Sequence, residues 1–174
     1  MPRRTDGRGH GIRDIRFRGN KCFVCGPDNA AGMHLKFTYD KKRQTFVCRF
    51  RLDERYTGPP GHCHGGIIAT ILDEAMGKVN KLRQVTAVTA QMKVDYVRPV
   101  PLNQALRVES REISSGKRKH VNTGEILNRK GEVLARGEAL FISIDAERLF
   151  GRFVTKQRAA VRLKTTSLAS ARVG

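Results

Sequence analysis

The segment GHCHGGIIATILDEAMG, Gly61 to Gly77, runs two histidines, a cysteine and paired glycines into an almost wholly apolar stretch. Two adjacent carboxylates, Asp73 and Glu74, sit in the middle of that stretch. Apolar side chains at Ile68, Ile71, Leu72, Ala75, Val79 and Leu82 follow the 3.6-residue repeat, so the spacing predicts a helix over Ile67–Leu82. Its first two turns are apolar nearly all round, which predicts burial on most sides. One stripe differs: Gly66, Thr70, Asp73, Gly77 and Asn80 share a face that is small and polar. A second layer or a ligand can approach the backbone closely there. Glu74 has Lys78 four residues on, the favourable order for a helix-surface ion pair. Asp73 has Gly77 at that position and no cation within a turn. An unpaired carboxylate on a buried helix is costly, and such groups mark functional sites.

The flanking chain reads as strands. Leu35–Tyr39 and Thr45–Leu52 are predicted strands joined by KKRQ, and TGPPGHCHGG is too rich in proline and glycine for regular structure. Downstream, apolar Val88, Ala90, Met92, Val94 and Tyr96 alternate with polar neighbours through Val88–Arg98. Leu106–Ile113, Asn122–Leu127 and Val133–Ile144 continue the pattern, with turns at SSGKRK and NRKGE. One long helix among hairpin-linked strands predicts an α+β domain, the helix lying on one face of an antiparallel sheet.

The 174 residues are enough for one domain with a core. Residues 1–21 hold seven Lys/Arg against two Asp, and residues 148–174 hold seven against no acid, so twelve of the eighteen net positive charges lie in the ends. The expected organisation is a basic flexible leader over 1–21, a domain over 22–146 and a basic tail over 147–174. Such ends attract polyanions, which makes a nucleic-acid or anionic-surface binding protein the alternative reading. Against it, tryptophan is absent and no recognition-helix or base-stacking signature appears. No apolar run of spanning length and no signal-type stretch occurs, and four cysteines without a secretory signal fit a reducing, cytoplasmic setting. CFVC, Cys22 to Cys25, is half of a zinc site. Cys48 and Cys63 stand alone in strand and loop, so a structural thiol pair and no metal is the expectation.

HGGIIATILDEAMG, VTAQMKVDYVRPVPL, GKRK and GEVLARGEALF, with CFVCGPDNAAGMHLKF upstream, stand in one order over residues 22–145. Together they resemble the hotdog-fold acyl-CoA thioesterases of the phenylacetate-degradation type. The shared signature is His64-Gly65-Gly66, six residues, then Asp73. The resemblance implies a six-stranded antiparallel sheet wrapped around one long helix. It also implies dimers or tetramers that join sheets, with active sites between protomers and no cofactor. It assigns the oxyanion donor to the Gly65 amide and makes His64 the brace of that loop. Thr89 becomes the hydroxyl that orients water, and Lys117 and Arg118 become contacts for coenzyme A, with Arg98 a further candidate.

The chemistry is consistent with those types. Amides at a helix N-terminus are unpaired and lie at the positive end of the dipole, where a thioester oxygen gains charge during attack. Glycine admits the substrate to that backbone. Asp73 lies about 10–11 Å along the axis from Gly66 at 1.5 Å per residue. That is too far for one helix to serve one carbonyl with both groups, so the second half of the site is expected from another chain. Strict alternation places Thr89 opposite Val88 and Ala90, which brings it to the site only if that face borders the partner.

Overall fold

The computed structural model of the chain describes residues 20–151. Six strands form one antiparallel sheet: β1 (Thr38–Asp40), β2 (Thr45–Phe50), β3 (Ala87–Tyr96), β4 (Leu106–Ser115), β5 (Lys119–Leu127) and β6 (Val133–Ser143). Their order across the sheet is β1-β2-β4-β5-β6-β3. A single long helix, α1 (Gly65–Val79), packs on its concave side, in the arrangement called the hotdog fold. The predicted helix starts two residues earlier than its apolar repeat suggested, because His64 caps it. It gives way to a 3₁₀ turn over Asn80–Arg83, which Gln84 closes in the left-handed region at φ 55°. The first strand lies later than Leu35–Tyr39. Leu35 and Phe37 are core residues ahead of β1. Residues 146–151 begin the expected tail as a helical turn, capped by Asp145 Oδ1 accepting from the Arg148 N–H at 3.1 Å. The rest of the tail and the leader over 1–19 lie outside the described residues.

The core forms where α1 meets the sheet. Ile71, Leu72, Ala75, Met76 and Val79 of the helix are completely buried against Val108, Ile126, Ala135 and Phe141. Two glycines set the closeness of this approach. Gly124 of β5 and Gly137 of β6 face each other across the strands, directly beneath Leu72 and Met76. A Cβ at either position would stand 3.2 Å from a Met76 side-chain carbon. The sheet also reaches into the helix backbone. The Ser110 hydroxyl donates to the Ala75 carbonyl at 2.6 Å, and the Asn122 amide donates to the Met76 carbonyl at 2.9 Å and to Asn80 Oδ1 at 3.0 Å. These bonds supply partners for polar groups that burial would otherwise leave costly.

β3 is an edge strand, paired with β6 alone. Its alternation breaks once. Thr89 pairs with Phe141 and Gln91 with Leu140, which leaves Ala90 as an extra residue in a bulge. Ala87 and Thr89 therefore face the helix on one side of the bulge, and Met92 and Val94 face it on the other. The uniform alternation expected from sequence is corrected here: apolar Val88 is 41% exposed and points away from the core.

Replacing Gly124 or Gly137 by valine should overpack the helix–sheet seam and cost about 1–3 kcal/mol each. The expected reading is a lower urea midpoint at unchanged slope. Alanine at either site should cost less, because the Met76 side chain can turn aside.

Candidate active site

The helix mouth is built by the proline- and glycine-rich loop. Two short bridges, Thr57 to Cys63 and His62 to Pro101, tie that loop down. The Cys63 N–H donates to the Val100 carbonyl at 2.8 Å, and the His64 N–H to the Tyr56 carbonyl at 2.9 Å. His64 is the N-cap of α1. Its Nδ1 accepts from the Gly66 N–H at 3.0 Å, while its carbonyl accepts from Ile67 and Ile68 at 3.0 and 3.2 Å. Three amides of the first turn are thus satisfied. Among the described residues the Gly65 N–H has no acceptor, which is the condition an oxyanion donor must meet. The Tyr96 hydroxyl donates to the Gly65 carbonyl at 3.1 Å and so fixes that peptide from the far side.

Gly65 opens onto a cavity of about 400 Å³ between the loop and the end of β3, lined among others by Pro59, His62, Ile68, Tyr96 and Arg98. The walls are chiefly apolar, with Arg98 the one cation; its Nη1 donates to the Val133 carbonyl at 3.1 Å.

Asp73 lies two turns further on, half-buried. The Thr89 hydroxyl donates to its Oδ1 at 2.6 Å, a length typical of bonds to an ionised carboxylate. Among the described residues Asp73 meets no cation within ion-pair distance. The bulge at Ala90 turns Thr89 toward its own helix, so the expectation that Thr89 needs a partner-facing strand is corrected. The polar stripe divides. Gly77 packs against Phe141, and Asn80 is buried with Asn122, while Gly66, Thr70 and Asp73 keep some exposure.

Arg98, Lys117 and Arg118 are not brought together. Lys117 and Arg118 are exposed in the β4–β5 turn, next to Lys119, which lies in one cross-strand row with Ile142 and Val88. Arg98 follows Tyr96 at the other end of β3. Eight residues of strand separate the two ends, roughly 26 Å.

Glu74 and Lys78 pair as expected, at 2.8 Å, but not on the surface: Lys78 is only 6% exposed. Their neighbours are the CFVC thiols. Lys78 Nζ donates to Cys25 Sγ at 3.0 Å and stands 5.6 Å from the Phe37 ring centroid, and Cys22 Sγ donates to Glu74 Oε2 at 3.5 Å. Burial, helped by Glu74 and opposed by Lys78, pushes the Cys25 thiol up to about 12. Burial alone pushes Cys63 to about 11, and burial outweighs a backbone hydrogen bond to bring Cys48 to about 11. This cluster joins residues some fifty positions apart, which no local spacing in the sequence signals.

Residues 60–135, from the loop into the start of β6, match the family described as the thioesterase superfamily. Acyl-coenzyme A thioesterase THEM4 of Xenopus laevis is 29% identical over 136 residues, which are 77% of this chain and 61% of that protein. A thioesterase superfamily protein of known crystal structure is 32% identical with a TM-score of 0.66, over 71% of this chain and 60% of that one. A Bacillus halodurans protein whose crystal structure contains CoA is 27% identical with a TM-score of 0.57, over 63% of this chain and 74% of that one. The chain spans about three-fifths of the length of that THEM4 relative. These matches bear out the resemblance to the hotdog acyl-CoA thioesterases. No helix among the described residues is long and apolar enough to cross a membrane. The basic ends that motivate polyanion binding fall mostly outside the described residues.

The three raised thiols carry a sign. Neutral thiols suit the folded chain, whereas the unfolded chain ionises from the ordinary value of 9.0 upward. Their contribution is whole below about pH 9 and is lost as pH rises through 11 to 12. Urea midpoints should therefore fall over that range, and less steeply in a Cys48→Ala, Cys63→Ala variant.

Proposed function

We propose that this chain hydrolyses acyl-CoA thioesters, as a cytoplasmic homo-oligomer of the phenylacetate-degradation type whose active sites form between two copies. The observation that carries the reading is the Asp73–Thr89 hydrogen bond on the helix-facing side of a bulged edge strand. It holds a cation-free carboxylate in one orientation, with its second oxygen left for water. The names of the curated relatives support the substrate class. The four unbridged cysteines suit the compartment.

The edge of β3 supports a dimer. It offers an unpaired edge ten residues long, with Val88 at 41% and Tyr96 at 56% exposure. Long edges of this kind are normally covered. Antiparallel pairing with its own copy about Lys93 sets, across the Ala90 bulge, Thr89 of one subunit opposite Tyr96 of the partner subunit. The Asp73 carboxylate then meets the other copy's helix mouth, where the Gly65 N–H stands free. The same two-fold carries Lys117 and Arg118 toward the copy's Arg98, so three cations split in one chain converge on one phosphorylated substrate. Lysine and arginine both suit phosphate oxygens.

In this arrangement the thioester oxygen accepts from Gly65, with His64 holding the loop in place. Asp73 takes a proton from water as the water oxygen bonds to the carbonyl carbon, and Thr89 holds the carboxylate on line. Charge gathers on the carbonyl oxygen beside the helix N-terminus. When the tetrahedral species collapses, the carbon–sulfur bond breaks, Asp73 returns its proton to the departing sulfur, and coenzyme A leaves as the thiol with the free acid behind it.

Free-thiol release from a panel of short, long and aromatic acyl-CoAs tests the reading. Asp73→Asn should lower kcat by about 10²–10⁴ with an unchanged melting profile. A folded Asp73→Asn protein with wild-type turnover would sink the assignment. Thr89→Val should lower kcat less and leave KM nearly alone. Lys117→Ala, Arg118→Ala should raise KM for acyl-CoA while sparing an acyl-pantetheine substrate that lacks the nucleotide.

A further inference from the structure

The CFVC segment and Glu74 together have the make-up of a divalent-cation site. Cys22 Sγ, Cys25 Sγ and a Glu74 carboxylate oxygen all lie within 4.8 Å of one another. Tetrahedral zinc with sulfur at about 2.3 Å and oxygen at about 2.1 Å sets neighbouring ligand atoms about 3.6–3.8 Å apart. Cys22 Sγ and Glu74 Oε2 already stand 3.5 Å apart, the edge of such a tetrahedron. The loop is shaped to hold both sulfurs. The Gly26 N–H donates to the Cys22 carbonyl at 2.9 Å, and a Cβ at Gly26 would overlap the Cys22 backbone, so only glycine closes the turn. Both cysteines are half-buried rather than sealed in the core, which leaves a path for an ion.

The charges balance as well. Glu74 and Lys78 form a neutral pair beside the two sulfurs. A divalent ion that displaces the two thiol protons adds two positive charges and creates two thiolates, so no net charge enters the buried cluster. Lys78 need not leave. Glu74 gives Oε1 to Lys78 and turns Oε2 toward Cys22, so its two oxygens serve two partners. The ammonium, 3.0 Å from Cys25 Sγ, then supports a thiolate ligand from the second layer.

We propose that Cys22, Cys25 and Glu74 bind one thiophilic divalent ion of the zinc class, with water in the fourth position. Two thiolates and a carboxylate suit zinc over magnesium or calcium, which prefer all-oxygen shells. The site anchors the segment before β1 to α1 at the residue after Asp73, and it is independent of the proposed hydrolysis.

The test uses the full-length chain, fully reduced, with its four thiols counted before Zn²⁺ or Co²⁺ is added. One equivalent of Zn²⁺ should survive desalting. Co²⁺ should give the near-ultraviolet sulfur-to-metal band of thiolate ligation and the visible bands of a tetrahedral ion. Cys22→Ser and Cys25→Ser should each remove the sulfur band, while the other cysteines and the histidines remain. Glu74→Gln should keep the band but weaken binding by about tenfold or more. The wild-type spectrum decides the matter if a variant fails to fold. A reduced wild-type chain that retains no metal overturns the proposal, and so does a sulfur band that persists in Cys25→Ser. A chain that takes up no metal and instead closes a Cys22–Cys25 disulfide, two mass units lighter, overturns it as well.

Discussion

The constraint beneath this structure is the short distance between one apolar helix and the sheet curved around it. Five side chains of α1 are fully buried, and only a narrow polar stripe of the helix keeps some exposure. Burial on that scale needs a close approach of the backbone and partners for the helix carbonyls that face the sheet. Gly124 and Gly137 provide the first, and Ser110 and Asn122 the second, by bonding to the Ala75 and Met76 carbonyls. Close packing of this kind transmits small changes in volume to the whole seam. With the helix so fixed, Gly65 and Asp73 lie at set points on a rigid rod.

Function then depends on how the sheet treats the two ends of that rod. At the mouth, the loop is pinned by backbone bridges, His64 uses up the competing Gly66 amide, and Tyr96 holds the Gly65 carbonyl. Two turns on, β3 reaches Asp73 with the Thr89 hydroxyl. The polar stripe seen in the sequence falls into two parts. Its late members, Gly77 and Asn80, are taken up in packing, and its early members, Gly66, Thr70 and Asp73, keep some exposure.

Much of this was legible in the residues. The 3.6-residue repeat located α1, alternation located the strands, and Asp73 stood out because it lacked the lysine that Glu74 has four residues on. The free donor at Gly65 was foreseeable from helix chemistry. Three features were not legible, each because it depends on long-range placement. The bulge at Ala90 is invisible in a strand whose apolar alternation runs straight through it, and only pairing with β6 exposes the extra residue. The burial of Lys78 follows from the arrival of Cys25 and Phe37, some forty to fifty residues away. The separation of Lys117 and Arg118 from Arg98 is a matter of sheet order, which spacing along the chain does not encode.

The bulge also sets a rule for how this strand can change over evolutionary time. Because one unpaired residue shifts the phase, codons on either side of position 90 obey opposite rules for which side looks inward. Substitutions are judged separately in each half, and a single-codon deletion at 90 would remove the bulge while leaving both halves facing as they do, whereas a deletion elsewhere in the strand would turn side chains over.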